Sequence, residues 1–284
     1  MIRIKVLLLI GFTSLSYSQS AEKHNTDYQL IDDDGIIVEK YDSTITDENR
    51  FTRNNLIFRE GVSFHYKFEH LDQNNNRHYF KHIDSLSYWQ FVPETEVDQN
   101  TIQRVIISVK KGLQGFDKHF PGYNQTIIGY SYPTQENYAG SISSASGVIE
   151  NEANIWMHPP RDLYFEILEL NPFPFIKAPY EIGTKWTWSL KIGDHWSDGR
   201  WKLWSGSIEN NYEYEITDQK EIETPLGKLK CLVIESSARS RIGKTYLRSY
   251  FNGKYGFVRL EYTNIDGSNT ILELDHHLDL NYSR

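Results

Sequence analysis

The chain has 284 residues, 38 acidic against 30 basic side chains, a formal charge of −8 and one cysteine. The acidity disfavours nucleic-acid binding and electrostatic docking on anionic lipid. A lone Cys231 excludes an internal disulfide and any cysteine-based metal site.

Arg3 and Lys5 precede the apolar run Val6–Phe12, and Ser14, Ser16 and Ser18 follow. That order is a secretory signal peptide over residues 1–18, cut at or near Ser18. The run is too short to span a bilayer, and no cysteine near the cut offers a site for a lipid anchor. Losing Arg3 and Lys5 moves the net charge to −10. No long apolar stretch follows, so no integral membrane segment is expected in a mature chain exported to the periplasm or outside the cell. Residues 19–55 read as a polar, flexible arm whose one apolar patch, Ile36–Val38, could form an edge strand. No Pro/Gly/Ser linker or repeat divides the remainder, so residues 56–284 read as a single antiparallel β domain.

That body alternates apolar and polar residues with a period of two, as a strand with one buried face must. SFHYKFEH sets Phe64, Tyr66 and Phe68 against His65, Lys67 and Glu69, and TIQRVIISV and TIIGYSY read as buried strands. RDLYFEILEL interrupts the pattern, with Leu163, Ile167 and Leu170 at helical spacing and Asp162 placed to cap. A short helix is expected there, with a strand as the alternative, and the prolines of NPFPF end it. KWTWSLKI then sets Trp186, Trp188, Leu190 and Ile192 on one face. RWKLWSGSI reads as its return strand, with Trp201 and Leu203 on one side and Trp204 on the other. YEYEI, GFVRLEY and TILELDHH continue the alternation, the last placing His276 with Leu272 and Leu274, opposite Asp275. Turn signals at Gly193-Asp194, Asp198-Gly199, Pro225-Leu226-Gly227, Asn252-Gly253 and Asp266-Gly267 separate these runs. The fold class expected is mainly β: a curved antiparallel meander or half-open barrel with one short helix.

Five of the seven tryptophans lie between Trp186 and Trp204. Trp186 and Trp188 alternate as core residues. Trp196 and Trp204 are not explained by a single buried face. They are covered by the helix or arm, or they line a ligand groove, or they form a membrane-surface rim, which the acidity disfavours.

PYEIGTKWTW, ETPLGKLKCLVIES and YFNGKYGFVRLEY together resemble exported bacterial proteins grouped with the lipoprotein-carrier (LolA/LolB-like) half-barrels. The shared positions are Gly183 and Trp186, then Thr224, Pro225 and Gly227, then Tyr250, Phe251, Gly256, Phe257 and Val258. The resemblance spans roughly residues 178–275. It implies a curved antiparallel sheet around a short helix, with an apolar cavity, and it transfers no functional residue.

Motifs for catalysis are lacking. DHHLD, Asp275 to Asp279, is the densest cluster of metal-ligating residues, but neighbours in a strand face opposite ways, so His276 and His277 cannot share an ion unaided. Cys231 alternates with Leu229 and Val233 as a small core residue. Glu213 and Glu215 share a face expected to be solvated. No catalytic residue, metal site or cofactor is expected. The leading expectation is a non-enzymatic protein that binds a lipid or another apolar or amphiphilic small molecule in the concavity. Trp186, Trp188, Trp201, Leu203, Tyr246 and Tyr250 would line it, and Arg161, held between Pro160 and Asp162, would contact an anion at its edge. The alternatives are a carbohydrate-binding or carbohydrate-processing β protein, and a structural protein whose arm adds a strand to an envelope partner.

Overall fold

A computed structural model describes residues 29–40, 54–83, 88–102, 104–111, 124–135 and 144–280. The expected signal peptide and most of the expected arm lie outside these residues. Within the arm, β1 (Leu30–Asp33) and β2 (Ile36–Glu39) form a hairpin rather than the one edge strand anticipated. Its turn is Asp34-Gly35, both at positive φ (51° and 96°), the geometry Asp-Gly supplies.

The main sheet is antiparallel throughout. It includes β3 (Val62–Leu71), β6 (Val105–Val109), β7 (Thr126–Ser131), β8 (Ser144–Glu150), β9 (Asn154–Met157) and β10 (Phe175–Lys177). It continues with β11 (Lys185–Ile192), β12 (Ile208–Thr224), β13 (Gly227–Ser240), β14 (Gly243–Asn252), β15 (Gly256–Thr263) and β16 (Asn269–Asp279). The last six form the meander expected from the alternation. The strand order is β10-β9-β8-β7-β6-β3-β16-β15-β14-β13-β12-β11, while β4 (Arg77–Ile83) and β5 (Tyr88–Val92) form a hairpin off β3. Pairing of β3 with β16 joins the two ends of the described body, and the sheet curls into a nearly closed twelve-strand barrel. The unsealed seam lies between β10 and β11, neighbours in sequence that do not pair.

Aromatic rings fill that seam. Trp186 and Trp188 sit directly opposite Tyr214 and Tyr212 on β12 and stack on them at 5.3 and 4.7 Å. From the other edge, Phe175 meets Trp186 at 5.6 Å, and Trp156 and Phe173 meet Trp188 at 5.8 and 5.4 Å. The β1–β2 hairpin straps the seam. Asn154 accepts from the Ile37 N–H and, with Asn151, donates to its carbonyl, while Lys177 donates to the Gly35 carbonyl. A Cβ on Gly35 would sit 3.1 Å from the Thr187 carbonyl oxygen, so this close approach to β11 needs glycine.

The expected helix is a 3-10 segment, Leu163–Leu170, lying against the concave face. Asp162 makes no side-chain cap; its carboxylate instead accepts from the Tyr132 and Ser144 hydroxyls, both at 2.6 Å. Phe165, Ile167, Leu168 and Leu170 are buried. The Leu170 carbonyl accepts from Asn210 and Thr245 at 3.0 and 2.8 Å, and Asn171 donates to the Tyr246 and Thr263 carbonyls. Polar side chains of β12 and β14 thus terminate the segment, since proline follows it.

Two sequence assignments change. RWKLWSGSI is a loop held by an isolated Asp198–Lys202 bridge, and the return strand begins only at Ile208, so Trp201 and Leu203 share no strand face. In β16 a bulge between Leu274 and His276 inverts the phase: Asp275 is buried and His276 exposed. The extra residue of a bulge shifts every side chain beyond it to the other face.

Candidate binding site

The expected ligand hollow is occupied by the protein's own side chains. Tyr66, Tyr130, Tyr212, Tyr214 and Tyr262 are almost wholly buried together with Phe165, Ile167, Leu168 and Leu170 of the 3-10 segment and with Phe173 and Phe175. Burial pushes all five phenols above their ordinary range. Tyr66 donates to the Phe257 carbonyl and Tyr214 to the Phe173 carbonyl. Among them lie His158 and Glu169, 3.2 Å apart but not aligned for a hydrogen bond between them. His158 Nδ1 donates to the Pro159 carbonyl, and burial holds its pKa down near 4. Burial raises Glu169 to about 8, so both side chains are neutral near pH 7.

The sequence-derived lining residues therefore separate. Trp186 and Trp188 are seam core, and Trp201 is buried with its Nε1 donating to the Trp196 carbonyl. Leu203 is 72% exposed on the loop, and Tyr246 is 46% exposed on the outside of β14 under Lys244. Tyr250 shares that outward phase and is covered by Lys220, 5.3 Å from its ring. These six do not form one surface. The pleat of β14 carries Thr245, Leu247 and Ser249 inward and so turns both tyrosines out.

Aromatic and ionic side chains instead gather at one mouth of the barrel, where the 3-10 segment meets loop 193–207. Arg161, immediately before that segment, stacks over the half-buried Trp196 at 5.6 Å. Among the described residues its guanidinium has no ion-pair or hydrogen-bond partner. Arg200 stacks over Trp201 at 4.6 Å and Tyr164 at 6.0 Å, but it is neutralised by a two-pronged contact to Asp198 (2.9 and 2.8 Å) and by Glu166 at 3.8 Å. Burial raises the Glu166 pKa, and Arg200 works against that rise. Behind them, His70 stacks on Phe91 at 5.0 Å and meets Tyr164 edge-on. Sequence reasoning singled out Arg161 but missed Arg200, whose only signal was its place beside the Asp198-Gly199 turn.

The outer face carries charge. Glu235, Arg248, Glu261, Arg259 and Glu273 form a ladder across β13–β16 with contacts of 2.6, 3.7, 2.8 and 3.3 Å. Apolar inside and charged outside is the reverse of a membrane-spanning barrel. No helix among the described residues is long and apolar enough to cross a membrane.

No protein family and no curated protein matches the sequence. Solved structures similar in shape include the following three. One is a candidate exported protein with a YmcC-like fold from Bacteroides fragilis, at 12% identity over 78% of this chain and 96% of that one, with a TM-score of 0.41. Another is a candidate lipoprotein from Parabacteroides distasonis, at 14% identity over 78% and 97%, with a TM-score of 0.43. The third is the hypothetical lipoprotein YmcC from Escherichia coli, at 11% identity over 61% and 78%, with a TM-score of 0.32.

Proposed function

We propose that this chain is an exported, non-enzymatic barrel that binds an acidic amphiphile at its mouth rather than in its hollow. Export rests on the signal-peptide pattern of residues 1–18. The observation that carries the binding reading is Arg161, a guanidinium stacked on Trp196 and unpaired among the described residues. Stacking fixes the plane of the fork while leaving its donors to an anion. The neighbouring loop adds Leu203, 72% exposed, as apolar surface for a chain. Binding inside the barrel, as in a lipid carrier, would require expelling the 3-10 segment and its polar anchors at Asn171, Asn210 and Thr245.

The test is titration with a long-chain fatty acid followed by tryptophan fluorescence. Saturable quenching is expected, with Arg161→Ala weakening affinity roughly tenfold or more, the effect of one charge-assisted hydrogen bond. Unchanged affinity in Arg161→Ala, or no binding at all, overturns the proposal. A carbohydrate ligand is the second reading, favoured by Glu166 and Asp198 flanking the Trp196–Trp201 loop. It predicts that a neutral oligosaccharide quenches in place of the fatty acid.

A further inference from the structure

Charge is unevenly spread along this acidic chain. Residues 236–260 hold six basic side chains and no acid, although acids outnumber bases 38 to 30 overall. Arg248 and Arg259 belong to the outer ladder, and Lys254 lies in the β14–β15 turn at the far end of the barrel. Arg239, Arg241 and Lys244 remain, all exposed, on the β13–β14 hairpin. Arg239 and Lys244 are direct cross-strand partners, so like charges face each other. Arg241 lies in the turn, and its Nη2 donates to the Ser205 carbonyl at 2.6 Å, which ties the tip to loop 193–207. Among the described residues none of the three pairs with a carboxylate. The acids of the neighbouring segments are committed elsewhere. Asp198 holds Arg200, Asp194 accepts from the Gly206 N–H at 2.7 Å, and Glu209 is in register with Lys191. Apolar groups flank the cations: Leu203, two residues from Ser205, is 72% exposed, and Tyr246, under Lys244, is 46% exposed.

Facing cations repel, so an anion brought between them is favoured. A purely ionic partner would make no use of Leu203 and Tyr246. Basic side chains set beside an aromatic ring and an aliphatic chain suit the boundary of a bilayer, where charge meets headgroups and apolar groups reach the acyl region. We propose that the β13–β14 tip and Leu203 dock this barrel, mouth first, on an anionic lipid surface. The net acidity of the chain does not cancel the attraction. Glu235, the ladder's acid on β13, is four residues from Arg239, roughly 13 Å along the strand. That exceeds the screening length of about 8 Å at physiological salt. The surface adjoins the mouth site but stands on different cations, so it holds or fails independently of fatty-acid binding at Arg161.

The test is flotation of the exported chain with vesicles of phosphatidylglycerol and phosphatidylcholine in equal parts. Binding is expected at low salt, and it should fall at least tenfold on pure phosphatidylcholine or in about 0.5 M salt. Replacing all three cations, Arg239→Gln with Arg241→Gln and Lys244→Gln, should weaken it on the order of a hundredfold. If losing the Ser205 contact unfolds that variant, Arg239→Gln with Lys244→Gln keeps Arg241 in place and should weaken binding roughly tenfold or more. Lys228→Gln with Lys230→Gln removes the same two charges at the opposite end of β13 and should stay within about threefold of wild type. Leu203→Gln should weaken binding about tenfold. No flotation at low salt would overturn the proposal, as would equal losses in the two double variants or unchanged binding in Leu203→Gln. Retention on immobilised polyglutamate without flotation would assign the cations to an acidic protein and overturn it too.

Discussion

Replacing Trp188 by alanine tests whether aromatic packing, in place of strand pairing, closes the barrel. The indole is 9% exposed and touches Tyr212, Trp156 and Phe173 on both sides of the seam. A tryptophan buries roughly 200 Å², which at ~25 cal/mol/Å² is an upper bound of about 5 kcal/mol. The cavity left behind adds to the loss, and the edge position of β11 lets neighbours relax into it, so about 4 kcal/mol is expected. Trp188→Phe should cost about 1–2 kcal/mol, since a smaller ring keeps the stack on Tyr212. Leu203→Ala, on the exposed loop, should stay within about 0.5 kcal/mol of wild type. Urea unfolding followed by circular dichroism measures all three. A Trp188→Ala loss below about 1 kcal/mol, no larger than that of Leu203→Ala, would refute the idea that these rings bear the seam.

Glu169 gives a pH signature. Its folded pKa of about 8 lies above the unfolded 4.5, so its contribution is complete below pH 4.5 and lost as pH rises through 8. His158 runs the other way, its contribution being lost as pH falls from 6.5 toward 4. The two oppose each other between 4.5 and 6.5, and between pH 6.5 and 8 only the Glu169 loss remains. At ~1.4 kcal/mol per pH unit, wild type should lose about 2 kcal/mol over that interval relative to Glu169→Gln, read from unfolding midpoints; parallel profiles would contradict the buried neutral pair. Asp275→Ala should cost roughly 3 kcal/mol by removing the carboxylate that Arg104 grips at 3.1 and 2.8 Å, and a loss under 1 kcal/mol in the same assay would argue against that pair. Asn154→Ala should raise the exchange rate of the Ile37 amide at least tenfold while leaving the β12–β15 amides protected, because its Oδ1 is the acceptor for that N–H.

The meander was legible because each of its strands keeps one buried face long enough for the alternation to register. Lys185–Ile192 was assigned to the residue, and Tyr212–Ile216 falls inside the longer strand Ile208–Thr224. The alternation failed where a strand bulges. Asp275 and His276 exchanged faces because β16 inserts an extra residue after Leu274, and no residue type there announces it. It failed again at Trp201–Trp204, where large aromatics imitate a strand but the backbone is tied into a loop by Asp198 and Ser197. The site was harder still. Arg161 was identifiable from its place between two prolines and an acid, yet its stacking partner Trp196 lies 35 positions away, and only the tertiary fold brings them together.

The filled interior and the outward charges bear on each other. A sheet this strongly curved must put bulky groups on its concave side, and five buried tyrosines meet that need while demanding partners for their hydroxyls. The 3-10 segment and the turn after it tie in further polar groups: the Phe173 carbonyl accepts from Tyr214, the Asn171 amide donates to β14 and β15, and the Leu170 carbonyl accepts from Asn210 and Thr245. Removing the segment to admit an apolar chain would strand each of these groups without water, at about 1–3 kcal/mol apiece. Those losses would set the affinity an interior ligand has to overcome before it gains anything from its own burial. Ligand at the mouth meets no such opposition, because the Leu203 side chain is already exposed and Arg161 is already held on Trp196 in the folded chain.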